Sequence, residues 1–576
     1  MNKRKMISAV LSVFSALAGA ALLSHLSQGI HWAVLLSCTC IAAFSGLVFW
    51  QAKDRRLRRA FGPIGSLAML ASALSVRLRA AQATGWLVLA ECLLLALCWG
   101  PAASQLFIWL KAGLQRLKTP LSLTGKQAFW LSLGVILLCW LPVFLALFPG
   151  VTGYDAYSQI QQNLTGQYVN GHPIAHTLLI GLFYRLGAAV FANASLGIGL
   201  YTAVQMLSLG AAVAYALYWL CLRRCPAVLW GMLLALFALA PQHAIMASSL
   251  TKDILFAAFM LMLTVELCRW RLEPERARLM RTRLLDAALV FAVGLMRRNL
   301  ILALGLMLLA LLLPRLRRLM DRRLLAVLLA GIVLFSGAEA VLKKAVHAEN
   351  PTIRDTMALP CQQLARVYHL YGLSHSVGYE IREILPYAEN YAPERADQAK
   401  RAAKITTPDR LMRFIKLWAR EAVHYPVEYL DAFLFTTRAY WDPSDVSYAR
   451  TYDMEPEGPR GCLTTNHNPY AGIELFDFFP QLRDLYGRLF TDNEALNHLP
   501  LRLLIHPAWS AWLLLFALAW AVYERRYALL LALLLSACYL FTLLLGPCAI
   551  VRYSYYLMLT APVLLGGLCC QDAQSA

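Results

Sequence analysis

The polar stretch from residue 149 to residue 176, PGVTGYDAYSQIQQNLTGQYVNGHPIAH, stands between two apolar runs. It contains a single carboxylate, Asp155, together with His172 and several tyrosines. An ionisable group at the edge of a bilayer indicates a functional site, because burial there is costly without a role. A structural role also fits Asp155, since Asp at the start of a short helix binds free backbone N–H groups.

Four cationic side chains lie at polar turns between other apolar runs: Lys252, Arg297, Arg298 and Arg552. Arginine suits phosphate because its planar guanidinium donates to two oxygens at once. Basic side chains at helix ends also extend along the membrane surface toward water, and this simpler explanation stays open. One acid and four cations are therefore the candidates for chemistry on a phosphate-bearing substrate.

The composition indicates what positions these residues. Of 576 residues, 59% are hydrophobic and 15% are charged, which is too much apolar surface for one soluble core. Runs long enough to cross a bilayer lie near 6–24, 31–50, 84–110, 128–148, 196–222, 227–247, 253–270, 300–315, 324–342, 503–522, 526–547 and 553–570, with weaker runs at 61–76 and 284–296. The sequence predicts an all-α polytopic membrane protein with about fourteen transmembrane helices.

The formal net charge of +20 comes largely from basic residues in short connections. They cluster at 53–59, 111–126, 223–224, 269–283, 315–323 and 525–526. If the runs alternate, these clusters share one side, which is the bias of cytoplasmic loops. The partner is then a lipid bilayer and not nucleic acid. The same orientation puts 149–195 and 343–498 on the extracytoplasmic face of a cell (plasma) membrane.

The chain divides into four regions. Residues 1–127 form an N-terminal transmembrane block, 128–342 a transmembrane core with the first outer loop 149–195, 343–498 an extracytoplasmic domain, and 499–576 the C-terminal helices. The outer domain is expected to be mainly helical, because apolar residues recur at helical spacing in 411–422 before Pro426 ends that helix. Cys361 and Cys462 are candidates for a disulfide that sequence alone does not decide.

The apolar stretch IAHTLLIGLFYRLGAAVF carries His176 and Arg185 and ends before Asn193. These interruptions predict an interfacial helix along the outer leaflet, with the next crossing beginning near residue 196. Counting 176–195 as a crossing would place the downstream basic loops outside, against the charge bias.

In their order, these segments resemble the GT-C glycosyltransferases. The resemblance is carried by a span ending in PG with YD shortly after it, an HP dipeptide, an interfacial helix, SSLTKD at 248–253, MRRN at 296–299, QQLAR at 362–366 and RYSYYLMLTAP at 552–562. The resemblance covers about 128–570. The chain is similar to little-characterised bacterial members of the family, so it does not indicate which substrate this protein uses. The resemblance implies a GT-C-like bundle that moves a sugar from a polyprenyl-phosphate donor to an extracytoplasmic acceptor, whether a cell-envelope glycan, a lipid or a protein.

The resemblance also implies residue roles. Asp155 matches the family's acid, which acts as general base or contacts a metal, and His172 would orient Asp155 or the acceptor. The family's common second acid is replaced by Ala156, so a divalent metal (Mg²⁺ or Mn²⁺) remains an open question. The phosphate of the donor would be held by Arg297, Arg298, Lys252 and Arg552. The aromatic residues that can stack on sugar rings are Tyr154, Tyr157, Tyr440 and Trp441, although membrane-interface aromatics are the commoner explanation.

Two other classes of function compete with this one. A polysaccharide polymerase or ligase of the O-antigen type also has many spans, a long outer loop and outer arginines, and it would not need Asp155. A transporter or flippase would show paired repeats and polar residues at mid-membrane. The polar residues of this sequence gather at one predicted face instead, which disfavours transport.

Overall fold

The computed structural model describes residues 3–26, 32–79, 86–314, 316–349, 356–372, 377–401, 403–445, 467–468, 472–476, 478–491 and 504–570. The fold is almost entirely helical. Its helices are α1 Lys3–Leu26, α2 Trp32–Gln51, α3 Arg55–Arg79, α4 Trp86–Leu114, α5 Gly125–Ala146, α6 Tyr154–Thr165, α7 Ile174–Phe191, α8 Ala194–Leu222, α9 Ala227–Leu239, α10 Pro241–Ala247, α11 Lys252–Leu272, α12 Pro274–Arg278, α13 Met280–Met296, α14 Leu300–Ala310, α15 Arg322–Ala345, α16 Ala358–Tyr371, α17 Gly378–Ile384, α18 Ala396–Ala399, α19 Pro408–His424, α20 Pro426–Thr437, α21 Pro480–Thr491, α22 Ala508–Glu524, α23 Tyr527–Leu543 and α24 Val551–Cys569.

Short 3₁₀ helices occupy Arg317–Leu319, Ala388–Asn390 and Arg438–Tyr440. Two short strands, β1 His467–Asn468 and β2 Ile473–Glu474, pair antiparallel with His467 opposite Glu474.

Eight helices among the described residues are long and apolar enough to cross a membrane: α1 to α5, α7, α8 and α15. The pair α9 and α10, bent by 52°, makes nine if it counts as one broken span. The protein is thus an all-α membrane protein, but the prediction of about fourteen crossings exceeds this number. Several predicted runs form helices that are too short to cross a bilayer. Helix α14, for example, has 11 residues, and at a rise of about 1.5 Å per residue it spans only about half of the bilayer core.

Helix α7 is among the eight, whereas the sequence predicts it as an interfacial helix. His176 near its start and Gly187 near its end both contact the first third of α8, through Tyr201 and Gly197. The far end of α8 packs elsewhere, since Gly125 faces Tyr218 and Leu222. Helix α7 therefore packs on the N-terminal part of α8 and does not reach its far end.

Three helices run parallel through the main core. At one end, the Gln205 side chain of α8 donates to the Ser249 carbonyl just before α11, at 2.8 Å. At the other end, the Tyr215 hydroxyl of α8 bonds Glu266 of α11. The last helix, α24, follows the same direction, because Gly566 packs on Leu220 near the end of α8. The N-termini of α11 and α24 consequently meet at the same end, called the site end below.

The N-terminal block has a small core of its own. Helices α1 to α4 bury Ala16, Ala42, Ala73, Cys92, Leu95, Trp99 and Ala102 against one another. Gly65 allows close packing of α3 on α4, because a Cβ there would lie 2.3 Å from the Gly100 carbonyl oxygen. This block touches the rest of the bundle where Phe61 packs on Phe516 of α22, with ring centroids 6.2 Å apart.

Helices α16 to α20 form a second helical unit with its own core. The amphipathic helix predicted at 411–422 is confirmed within α19, and Pro426 begins α20. The Ala396 amide donates to the Pro547 carbonyl at 2.8 Å, which fixes this unit at the site end, just before α24. Cys361 is buried with a free thiol, and Cys462 lies outside the described residues, so the disulfide stays a prediction.

Candidate functional site

The loop before α6 brings Asp155 to the site end. Val151 forms a parallel bridge with Ser249, in which its amide donates to the Ser248 carbonyl at 2.9 Å. Gly150 has a φ of +138°, and a Cβ there would lie 2.3 Å from Leu250. Only glycine tolerates both the dihedral and the close approach. This bridge ties the start of α6 to the segment that leads directly into α11.

The Asp155 carboxylate lies between two cations from distant parts of the chain. Its Oδ2 atom is 3.2 Å from Lys252 Nζ and 2.7 Å from Arg552 Nη1. His172 Nδ1 lies 3.8 Å from the same oxygen. Gly153 precedes α6 as its N-cap, so Asp155 is not the capping residue that the simpler interpretation of the sequence required.

These contacts set the protonation states of the site. Burial alone would raise the pKa of the Asp155 carboxyl, but the charges of Lys252 and Arg552 outweigh it and hold that pKa well below its usual range. Burial, with the repulsion of Lys252 and Arg552, lowers the pKa of His172 to about 4 although Asp155 opposes the change. Lys252 Nζ lies 3.4 Å from His172 Nδ1. Because lysine only donates, Nδ1 accepts and the neutral ring carries its proton on Nε2.

A second ion pair lies directly behind the first. Asp253 is fully buried in the first turn of α11, and its Oδ1 atom accepts a hydrogen bond from Arg297 Nε and lies 2.5 Å from Arg297 Nη2 as an ion pair. The Arg297 guanidinium also stacks 4.4 Å from the centre of the Tyr553 ring, and Arg552 lies 5.2 Å from that ring. Arg552 Nε is 3.9 Å from Asp253 Oδ2, which joins the two pairs.

The ion pairs of the site do not follow adjacency in the sequence. Asp253 is next to Lys252 in the chain, but it pairs with Arg297, and Lys252 pairs with Asp155. Neighbouring residues on a helix point about 100° apart, so their side chains do not face each other. Arg297 and Arg298 likewise have acidic partners that are distant in sequence.

Arg298 has a positioning role in the described structure. Its Nε lies 2.7 Å from Glu339 of α15, and its Nη2 donates to the Asn170 carbonyl at 2.7 Å. The same Nη2 is 3.4 Å from the His172 carbonyl oxygen. Arg298 therefore holds the loop that presents His172.

A buried chain of polar side chains supports α6 from behind. His176 Nδ1 lies 3.1 Å from Gln159 of α6, and His176 Nε2 lies 2.7 Å from the Tyr201 hydroxyl. That hydroxyl donates to Gln205, which donates onward to the Ala247 and Ser249 carbonyls. The chain links the helix that bears Asp155 to the segment before Lys252. Its sequence signal is weak: it consists of a histidine in an apolar helix, one glutamine a turn after Asp155 and another a turn after Tyr201.

Comparison with known proteins gives one match. Residues 162–575 match the family described as a family of unknown function (DUF6020), which is more than half of the chain. The protein belongs to this family. No curated protein and no solved structure matches it.

The DUF6020 match includes His172, Lys252, Arg297, Arg298 and Arg552 but begins after Asp155. The family description assigns no activity, so the chemistry of the site has to be argued from its residues.

The aromatic candidates are distributed unevenly in this DUF6020 protein. Tyr440 is 2% exposed and its hydroxyl donates to the Cys548 carbonyl at 3.4 Å, so it offers no open ring face. Trp441 is partly buried and donates to Thr437 at 3.2 Å. Tyr157 is partly buried against the main core. Tyr154 begins α6, and its side chain lies outside the described part of the structure.

The residues around Asp155 do not fit a divalent metal. Across the described residues, no group of three or more His, Cys, Asp or Glu side chains could hold one. The nearest groups to the Asp155 carboxylate include Lys252 and Arg552, whose charges repel a cation. Asp253 is occupied by Arg297. The arrangement instead suits an anion, because three cations face two carboxylates and His172 is neutral.

Proposed function

We propose that this protein is a membrane glycosyltransferase of the GT-C type, which transfers a sugar from a polyprenyl-phosphate donor to an acceptor on the extracytoplasmic face. In this proposal the transmembrane helices, about fourteen in number as the sequence predicts, form a GT-C-like bundle. The observation that carries the proposal is the convergence of Asp155 and His172 with Lys252, Arg552 and the Asp253–Arg297 pair. These groups come from five separate segments of the chain.

The reaction needs the two kinds of group that meet at this site. The acceptor oxygen bonds to the anomeric carbon, while the bond from that carbon to the phosphate oxygen breaks and its electron pair leaves with the phosphate. Lys252 and Arg552 suit the negative charge that develops on the phosphate. Asp155 accepts the proton of the acceptor hydroxyl as general base. Both helices that carry the cations also direct their N-termini toward the site, which favours an anion.

His172 and the Arg297 pair have supporting parts in this proposal. The neutral His172 ring accepts from Lys252 through Nδ1, so it orients the Asp155 carboxylate through that lysine, or it orients the acceptor through its Nε2–H. Arg297 is 9% exposed and stacked on Tyr553, so it acts on the phosphate through the field of the buried pair instead of by direct contact. Arg298 positions the His172 loop.

The decisive experiment replaces Asp155 with asparagine, which keeps the size of the side chain and removes its negative charge. Purified Asp155→Asn with a labelled lipid-linked sugar and an envelope extract as acceptor should transfer sugar about 100-fold more slowly or worse, in line with general-base contributions. Asp409→Asn is the matched control, because Asp409 also lies in the first turn of a helix but is exposed. Its transfer rate should equal that of the wild type.

Wild-type transfer by Asp155→Asn would remove Asp155 from the mechanism. That result would favour the polymerase or ligase of the O-antigen type, in which outer arginines lead. If the wild-type protein moved the lipid-linked sugar between leaflets without transferring the sugar to an acceptor, the result would instead favour the flippase class.

A further inference from the structure

The Asp155 carboxylate occupies the place where a phosphate oxygen would bind. Its Oδ2 atom touches both Lys252 Nζ and Arg552 Nη1, at 3.2 and 2.7 Å, and both cations are at most 11% exposed. Two partly buried cations that converge on one oxygen form an anion site, and a carboxylate and a phosphate make the same charge-assisted hydrogen bonds. The anion present in this structure is part of the chain itself.

A carboxylate held this way is a poor base. The contacts that neutralise Asp155 also keep its pKa well below the usual range, and a general base works best when its pKa lies near the working pH. The resting arrangement therefore conflicts with the role of Asp155 in the proposed function. The conflict disappears if another anion takes over the two cations.

We propose that Asp155 is an intramolecular placeholder for the donor phosphate, and that the phosphate displaces it from Lys252 and Arg552 and thereby releases it as the base. This inference rests on the proposed function and adds an order of events to it. Asp155 becomes able to accept a proton only when a donor is bound, so it does not deprotonate water while the donor site is empty.

The surroundings allow this exchange. Lys252 is the first residue of α11 and Arg552 the second of α24, and both reach the site on long flexible side chains. Arg552 keeps an acidic neighbour after the exchange, because Asp253 Oδ2 lies 3.9 Å from its Nε. The buried Asp253–Arg297 pair behind them stays fixed. A phosphate between the cations also brings a like charge near Asp155, which raises the pKa of the released carboxyl.

Binding of a sugar-free prenyl phosphate tests the proposal without relying on sugar transfer. Farnesyl phosphate is titrated into detergent-purified full-length protein, with inorganic phosphate as a second probe that separates the lipid from the free anion. Removing an internal competitor tightens binding, so Asp155→Asn should bind farnesyl phosphate about tenfold more tightly than the wild type. Arg552→Gln should bind it about tenfold more weakly, and Asp409→Asn should match the wild type.

Asp155→Ala serves as the second variant if Asp155→Asn does not fold, and it carries the same expectation. Unchanged or weaker binding by a folded Asp155 variant would overturn the placeholder, even if transfer is lost, and would leave the proposed function standing. Failure of the wild type and all variants to bind farnesyl phosphate would overturn both. If the Asp155 variant bound farnesyl phosphate more tightly but transferred sugar at the wild-type rate, the phosphate site would be supported and the release of Asp155 as the base would be contradicted.

Discussion

An ion cluster lies at each end of α11, and the two clusters are built differently. At the far end, Arg269 makes a forked contact with Glu273, with distances of 3.0 and 2.8 Å, and Arg276 lies 2.9 Å from Glu266. All four residues lie within eleven consecutive positions. Two cations match two carboxylates there.

The cluster at the site end has the opposite character. Lys252 and Asp155 are 97 positions apart, and Arg552 and Asp155 are 397 apart. Its cations outnumber its carboxylates among the described residues. Helical spacing makes a local, balanced cluster wherever acids and bases alternate, and it stabilises the helix end. A long-range cluster with excess positive charge has a desolvation cost that local spacing does not explain, which is the reason to assign function to it.

The prediction with the largest effect concerns the side of the membrane on which each of the two ion clusters lies. If basic loops fix orientation, accessibility tags at 120, 275 and 525 should label from the cytoplasm, and tags at 165 and 400 from outside. Labelling should be all-or-none in whole cells. A tag at 165 on the same side as the tag at 275 would make α7 a true crossing. A cytoplasmic tag at 400 would place the site cluster on the wrong face for the proposed donor.

The next effect is on stability and tests the buried pair. Asp253→Asn should destabilise the protein by about 3–5 kcal/mol, because it leaves Arg297 buried without its counter-charge. The far-end variant Glu273→Gln should cost about 1 kcal/mol or less, since that carboxylate is 31% exposed. Denaturant unfolding in detergent measures both. Equal losses would mean that the two clusters do not differ as described, and Asp253→Asn with Arg297→Gln should recover part of the loss.

The third effect separates the clusters by activity. Asp155→Asn should lower sugar transfer by about 100-fold, or about 2.7 kcal/mol, whereas Glu273→Gln should stay within about twofold. The measurement is initial rate with the labelled donor at saturating acceptor. Similar losses in both variants would show that transfer depends on the integrity of the bundle and not on the site end.

The smallest effect is the pH dependence of stability that His172 contributes. Its pKa is about 4 in the folded protein, below the ordinary value of about 6.5. Between these values the unfolded chain binds the proton and the folded protein does not, so stability is lost as the pH falls through this window. The wild type should lose on the order of 2 kcal/mol more than His172→Gln between pH 6.5 and 4. If the free energy of unfolding fell equally with pH in the wild type and in His172→Gln, the His172 ring would not be neutral in the folded protein.

The sequence by itself determined the membrane class, most of the helices and the candidates for chemistry. These properties depend on local pattern: apolar runs give α5 and α8, helical spacing gives α19, and cations at polar turns identify Lys252 and Arg552. The tertiary structure decided which charges pair, since Asp253 faces Arg297 and not its neighbour Lys252. It also buried Tyr440 beneath Cys548 and left several predicted crossings as short helices. Pairing and burial depend on packing between segments that lie tens to hundreds of residues apart, and no local pattern encodes that packing.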